Sequence, residues 1–418
     1  MSRLLHISDW HLGASLYRHS REEDFDAVLA ETAAVARESE PDLIVHSGDL
    51  FHSFRPGARD LLRAMRALDE LADVAPTVVI AGNHDSPAYF EFLNLVSGPS
   101  RGRGLYFVDR FRRGREGGVL TFDACGGEQR MRLAVMPFVH PNQFWQRNSP
   151  SATASADYVQ GMRELQADLM QALHDGYDPG RDVLLFAAHV YVAGAKRSKS
   201  ERGVDTDDAF ATAPGDLPVV SYAALGHIHA PQTVNGVPSA VTARYAGSPL
   251  QMDFGEHKDI KSVVVVDADP GRPVRALPHT LTSGRRLAYF EGTLDLLRAD
   301  AHTFEGMFLK AAITGEEDGA LLTRRVAEIV PGAILVDAAP VREATTDSVL
   351  TGDPAEEPDL PDSFLAYLTE AGLNETAAQS TATTFARLLG EVDDEEPSPV
   401  PAQELLRAAL EDLWRKAS

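Results

Sequence analysis

Five short polar motifs, each standing directly after an apolar run, constrain this chain more than any other feature. In order they are Asp9-Trp10-His11, Gly48-Asp49-Leu50-Phe51-His52, Gly82-Asn83-His84-Asp85, His189 and Gly226-His227-Ile228-His229. The runs before them, residues 4–8, 43–47, 77–81, 183–188 and 222–225, have the length and content of buried strands. Residues 133–136 and 263–267 are further runs of this kind, and helical patterns fill 22–39 and 57–72. The first 267 residues are thus written as the layers of an α/β domain. Open α/β sheets place their sites beyond the carboxyl ends of their strands, so the five motifs are predicted to meet at one edge. The stripe Leu61, Leu62, Met65, Leu68 and Leu71 has helical spacing and is assigned to core packing.

Each motif alone carries little. An Asp-x-His pair arises by chance in many proteins, a histidine ending a strand is ordinarily a hydrogen-bonded core residue, and Asn-His in a glycine turn is ordinary turn chemistry. Together they supply what a pair of divalent cations requires. Two such ions roughly 3.5–4 Å apart need a bridging carboxylate to screen their repulsion, with neutral nitrogen or amide oxygen ligands around it. Asp49 is the natural bridge. Asp9, His11 and His229 then complete one cation site, and Asn83, His189 and His227 complete the other. His84 is left beside Asn83, placed to donate to an attacked phosphate or to protonate a leaving oxygen, with Asp85 expected to orient its ring. Water activated by the cations is the expected attacking group, so no side-chain nucleophile is required. Cys125, in a glycine-rich turn with no base beside it, supports no nucleophilic mechanism. Carboxylate and imidazole ligands without thiolate suit manganese, with zinc and iron as alternatives and magnesium less apt.

Composition sets limits on class and partner. One cysteine among 418 residues excludes both an intrachain disulfide and a cysteine-based zinc site. No stretch of about 18 apolar residues is present, and chemically loaded residues begin too early to leave room for a signal peptide. A cytoplasmic protein that does not enter the membrane is expected. The formal charge of −23 argues at first sight against nucleic acid, because phosphate contacts come from Lys and Arg. Residues 353–418, however, contain 15 acidic and 4 basic residues, a net of −11. The remainder carries basic clusters, Arg101, Arg103, Arg110, Arg112, Arg113 and Arg115, then Lys196, Arg197, Lys199 and Arg202. Each cluster taken alone reads equally well as an ordinary solvated loop.

The length suits two or three domains. Residues 1–277 form the motif-bearing domain. After Pro278 the pattern becomes strand 286–291, helix 293–300, strand 307–314, helix 319–330 and strand 333–338, a small α/β unit within 278–350. A linker at 351–361, rich in Asp, Glu and Pro, leads to a helical region at 362–418. Its two helical patterns carry apolar stripes, Phe364, Leu365, Leu368, Leu373, Phe385, Leu388 and Leu389, then Leu405, Leu406, Leu410, Leu413 and Trp414. These need a surface to cover, and a groove or coiled coil on another chain is the expected one.

The motifs, in this order, resemble those of the calcineurin-like metallophosphoesterases. The opening Ile7-Ser8-Asp9-Trp10-His11-Leu12-Gly13, the block from Gly48 to His52, and Ala224-Leu225-Gly226-His227-Ile228-His229 followed by Gly247-Ser248-Pro249 look like the nuclease subunits of double-strand-break repair complexes within that family. The resemblance implies a β-sandwich flanked by helices, with a small α/β capping domain and C-terminal helices. It implies manganese-dependent exonuclease activity on DNA ends and endonuclease activity on hairpins or single strands. It also implies an SMC-like ATPase partner bound through the C-terminal helices, and a homodimer within a heterotetramer. Carried over, the family's ligands fall on Asp9, His11, Asp49, Asn83, His189, His227 and His229, its catalytic histidine on His84, and a histidine near the DNA path on His52. For His52, substrate contact and support of the ligands weigh equally. Two rival readings remain. One is a phosphoesterase for small molecules or proteins with the same cation pair, against which stand the extra residues after the core. The other is a scaffold for the ATPase with a degenerate site, against which stands the intact ligand set.

Overall fold

The computed structural model describes residues 1–340 apart from 103, 141–143, 145–153, 199–200, 202–210 and 316–318. The expected linker at 351–361 and helical region at 362–418 lie outside the described residues.

Two six-stranded sheets face each other. The first runs, in spatial order, Arg275–Thr280, Ser262–Ala268, Ser2–Ile7, Leu43–His46, Thr77–Ile80 and Leu105–Val108. The second runs Gln232–Thr233, Thr242–Tyr245, Tyr222–Gly226, Asp182–His189, Gln129–Met136 and Val119–Ala124. Between them lies an apolar layer that includes Leu4, Val45, Val78, Leu185, Tyr222 and Val264. The outer face of the first sheet is covered by helices Glu22–Ser39, Ala58–Ala72 and Pro87–Ser97, and that of the second by Ala154–His174. Strands buried on both faces read as continuous apolar runs, which is why they were legible. The sandwich flanked by helices is the architecture the resemblance implied.

The central strands pair in parallel: Ser2–Ile7 with Leu43–His46, the latter with Thr77–Ile80, and in the other sheet Asp182–His189 with Tyr222–Gly226. Parallel pairing brings their carboxyl ends, and the polar motifs, to one edge. The edge strand Arg275–Thr280, mostly exposed and with polar residues at both ends, was not visible in the apolar pattern and extends the first sheet to Thr280. In the helix Ala58–Ala72, Leu68 and Leu71 are buried and Leu61 and Met65 pack against the core, but Leu62 is half exposed. It stands one residue, about 100° of helical turn, off the line of Leu61, Met65 and Leu68.

The strands Leu287–Gly292, Phe308–Ile313 and Ile334–Pro340 form a separate parallel sheet, joined by helices Leu294–Asp300 and Gly319–Ile329. Leu287 and Phe308 of this unit pack with Leu16 and Phe254 of the sandwich. At the same junction the Leu287 N–H donates to Gln251 Oε1 at 2.8 Å, and Arg285 Nε donates to Asp24 Oδ1 at 2.8 Å. Among the described residues no helix is long and apolar enough to cross a membrane.

Candidate metal centre

The loops that carry the motifs are fastened to one another by main-chain hydrogen bonds. The N–H groups of Asp9, His11 and Leu12 donate to the carbonyls of Gly48, Asp49 and Leu50, each at 3.0 Å, and the His52 N–H returns to Leu12 at 3.0 Å. Side chains complete the frame: Asp49 Oδ1 accepts the His84 N–H at 2.9 Å, and Asp9 Oδ1 accepts the His227 N–H at 3.0 Å. Asp9, His11, Asp49 and His227 all adopt positive φ, between 47° and 101°. Non-glycine residues avoid that region, and where they occupy it the surrounding structure must over-determine them, a condition that clusters at functional sites.

Two groups of side chains converge within this frame. The ligand atoms of Asp9, His11 and His229 lie within 4.8 Å of one another, and so do those of Asp49, His189 and His227. All six are buried. His11 Nε2 is 2.9 Å from His229 Nε2. Asn83 Oδ1 joins the second group, 3.0 Å from His189 Nε2 and 3.1 Å from His227 Nδ1. Asp49 Oδ2 stands between the groups, 3.3 Å from His11 Nε2 and 3.5 Å from His189 Nε2. The structure thus brings together all seven residues singled out as ligands, in the two groups expected, with Asp49 touching both.

The donor chemistry fits divalent cations. Asp9 Oδ2 is buried without a hydrogen-bond partner, a costly state for a carboxylate oxygen unless a cation satisfies it. Protonation makes the same point. Burial pushes Asp9 up to about 6. Burial likewise holds His11 well below its ordinary value, outweighing the opposing pull of Asp49. Burial acts to raise Asp49 and to lower His189, yet each overcomes this through the other: Asp49 lies well below the carboxylate range, and His189 rises to about 9. Cations beside these groups would favour the ionised carboxylates and the neutral imidazoles that ligation requires.

His84 and His52 stand beside the first group. The His84 ring lies edge-on to His11, centroids 4.7 Å apart, and stacks on His52 at 5.6 Å, while its Nδ1 donates to the His52 carbonyl at 2.8 Å. His52 itself is exposed. The expectation that Asp85 orients the His84 ring needs correction. Its Oδ2 accepts the N–H groups of Leu50 and Gly82, at 3.0 and 2.9 Å, and its Oδ1 accepts that of Phe51 at 2.9 Å. The carboxylate is occupied in joining two loops, whereas Nδ1 of the His84 ring is hydrogen-bonded to the His52 carbonyl.

Four arginines of the basic cluster after residue 100 are paired with acidic side chains. Arg110 and Arg112 pair with Asp109, Arg113 with Asp168 and Arg115 with Asp175. Lys196 lies 3.4 Å from Asp259, and Arg197 sits over the Tyr191 ring. Arg103, Lys199 and Arg202 lie outside the described residues. Three residues in contact with the candidate ligand histidines escaped the sequence reading. Ser47 accepts His189 Nδ1–H on its carbonyl at 2.9 Å, and the buried pair Glu256 and Lys261 lies behind His229. No local motif marks them, because each meets its histidine only through the packing of distant segments.

Residues 2–231 match the family model of the calcineurin-like phosphoesterases. The chain belongs to that family. Among its curated relatives it is 31% identical over 315 residues to the SbcD component of the nuclease SbcCD from Bacillus subtilis (strain 168), spanning 73% of this chain and 76% of that one. It is 29% identical over 287 residues to the corresponding SbcCD component of Escherichia coli (strain K12), spanning 65% and 66% of the two chains. A shorter stretch, 177 residues at 32% identity, aligns with the DNA double-strand break repair protein Mre11 of Haloferax volcanii, 38% of this chain and 40% of that one. This calcineurin-like phosphoesterase is accordingly a metal-dependent phosphodiesterase of the nuclease type, with divalent cations as its resident cofactor.

Proposed function

We propose that this phosphoesterase is the DNA-cutting subunit of an end-processing complex, acting on DNA ends and hairpins together with an SMC-like ATPase. The observation that carries this reading is the pair of buried ligand groups sharing Asp49, with His84 and His52 beside them at the same sheet edge. Asp9, His11, Asp49 and His229 would hold one cation, and Asp49, Asn83, His189 and His227 the other; the ligand types favour manganese. Such ions supply Lewis-acid stabilisation of a phosphodiester and lower the pKa of water at neutral pH. The chain's own residues supply the rest. His84, its Nδ1–H committed to the His52 carbonyl, presents Nε2 to a phosphate oxygen or to the leaving oxygen. His52, exposed beside it, contacts the substrate backbone. Asp85 keeps the loops of Asp49 and His84 in register through its three amide contacts. The three-stranded unit within 278–350 caps the bound DNA, the segment at 362–418 docks on the ATPase, and the catalytic domain dimerises.

The direct test is whether purified protein degrades linear duplex DNA with Mn2+. Cleavage confined to small chromogenic phosphodiesters or phosphoproteins would sink the DNA reading. His84→Gln is expected to retain both ions by elemental analysis while slowing cleavage about 10²-fold or more, the range for a positioned acid or electrostatic group; loss of an ion would make His84 a ligand instead. Deletion of residues 353–418 is expected to preserve basal nuclease activity and to abolish co-purification with the ATPase subunit. Undiminished affinity of the truncated chain would rule out that region as the principal docking element.

A further inference from the structure

Glu256 and Lys261 form a buried ion pair that the roles above do not use. Lys261 Nζ donates to Glu256 Oε2 at 2.6 Å. Taking two charges out of water costs several kcal/mol per ion, which attraction offsets only when the remaining donors and acceptors are matched. Here two of the matching groups belong to one residue, His229. Lys261 Nζ also donates to the main-chain carbonyl of His229 and to Ser248 Oγ, each at 2.9 Å. Glu256 Oε1 lies 3.5 Å from His229 Nδ1 and accepts Ser198 Oγ–H at 2.9 Å, while Oε2 accepts the Met252 N–H at 3.0 Å. His229 is therefore held twice, at its ring by the carboxylate and at its carbonyl by the ammonium. Its other ring nitrogen, Nε2, is the atom that meets His11 Nε2. His189, by contrast, directs its Nδ1 to the uncharged carbonyl of Ser47.

We propose that Glu256 and Lys261 are positioning residues for His229. The carboxylate selects the tautomer with the proton on Nδ1 and aims the Nε2 lone pair at the ion that Asp9 and His11 would share; Lys261 balances its charge and pins the main chain. This inference rests on the dinuclear site proposed above. A carboxylate behind a ligating imidazole fixes ring orientation and raises ligand basicity, and its loss typically weakens metal binding about 10–100-fold. If the pair merely cross-links the turn Phe254–Glu256 to the end of strand Tyr222–Gly226, cation affinity will not depend on it.

The test is Mn2+ titration of the cation-free full chain by calorimetry, with electron paramagnetic resonance reporting whether two ions sit as a coupled pair. Wild type is compared with Glu256→Gln and with Glu256→Gln/Lys261→Met, which leaves no unpaired buried charge. Wild type is expected to take up two ions, and both variants to bind one of them about 10–100-fold more weakly while binding the other normally. Two ions held at wild-type affinity by the double variant would overturn the positioning role and leave the dinuclear reading intact. Wild type binding fewer than two ions would overturn that reading and this inference with it. A cation-free double variant that fails to fold would show the pair to be structural, and would equally overturn the assignment.

Discussion

Asp49→Asn is expected to give a folded protein with no measurable nuclease activity. The substitution suits the backbone, because Asp49 has φ of 54° and Asn is among the few residues that tolerate the left-handed region. Asn can also keep the bond at Oδ1 that accepts the His84 N–H, so the loops of residues 48–52 and 82–85 stay joined. What disappears is the negative charge that touches His11 on one side and His189 on the other. Two adjacent cations then lack the group that screens them from each other. The loss should far exceed the about 10–100-fold that follows removal of an outer partner of a ligand. Cleavage of a linear duplex in Mn2+ is the measurement, alongside circular dichroism of the cation-free protein. Near-normal cleavage would rule out Asp49 as the bridge.

Gly48→Ala is expected to damage fold and site together. Gly48 has φ of 110°, which L side chains rarely adopt, and a Cβ there would collide with the Nδ1 edge of the His189 imidazole. The strained backbone costs about 1–3 kcal/mol, and overpacking a closed interior costs about 1–3 kcal/mol more. Urea unfolding of the cation-free protein should therefore show a loss of about 2–6 kcal/mol. The displaced His189 should also release the ion that it would share with Asn83 and His227. A variant of wild-type stability that still binds two ions would mean the His189 ring does not pack against Gly48 as described.

The residue types and their order along the chain were enough to expect these side chains at one edge, and the reason is topological. Strands buried on both faces must be written as apolar runs, so their ends could be marked without coordinates, and a parallel arrangement leaves those ends only one edge on which to gather. Asp9, Asp49, Asn83, His189, His227 and His229 each follow or close such a strand, and their division into two groups around Asp49 follows from the ligand needs of two adjacent cations. The exposed edge strand Arg275–Thr280 lacked that apolar signature and stayed hidden. So did every contact made by a side chain across the fold. Asp85, adjacent in sequence to His84, instead binds the amides of Leu50 and Phe51, more than thirty residues away. Glu256 reaches His229 from a different loop, and the Ser47 carbonyl reaches His189 across the interface of the two sheets. Local pattern sets where a strand stops and which polar group follows it, because both depend on neighbours along the chain. Which buried acceptor each polar group finds depends on how distant segments cross, and only the packed structure decides that.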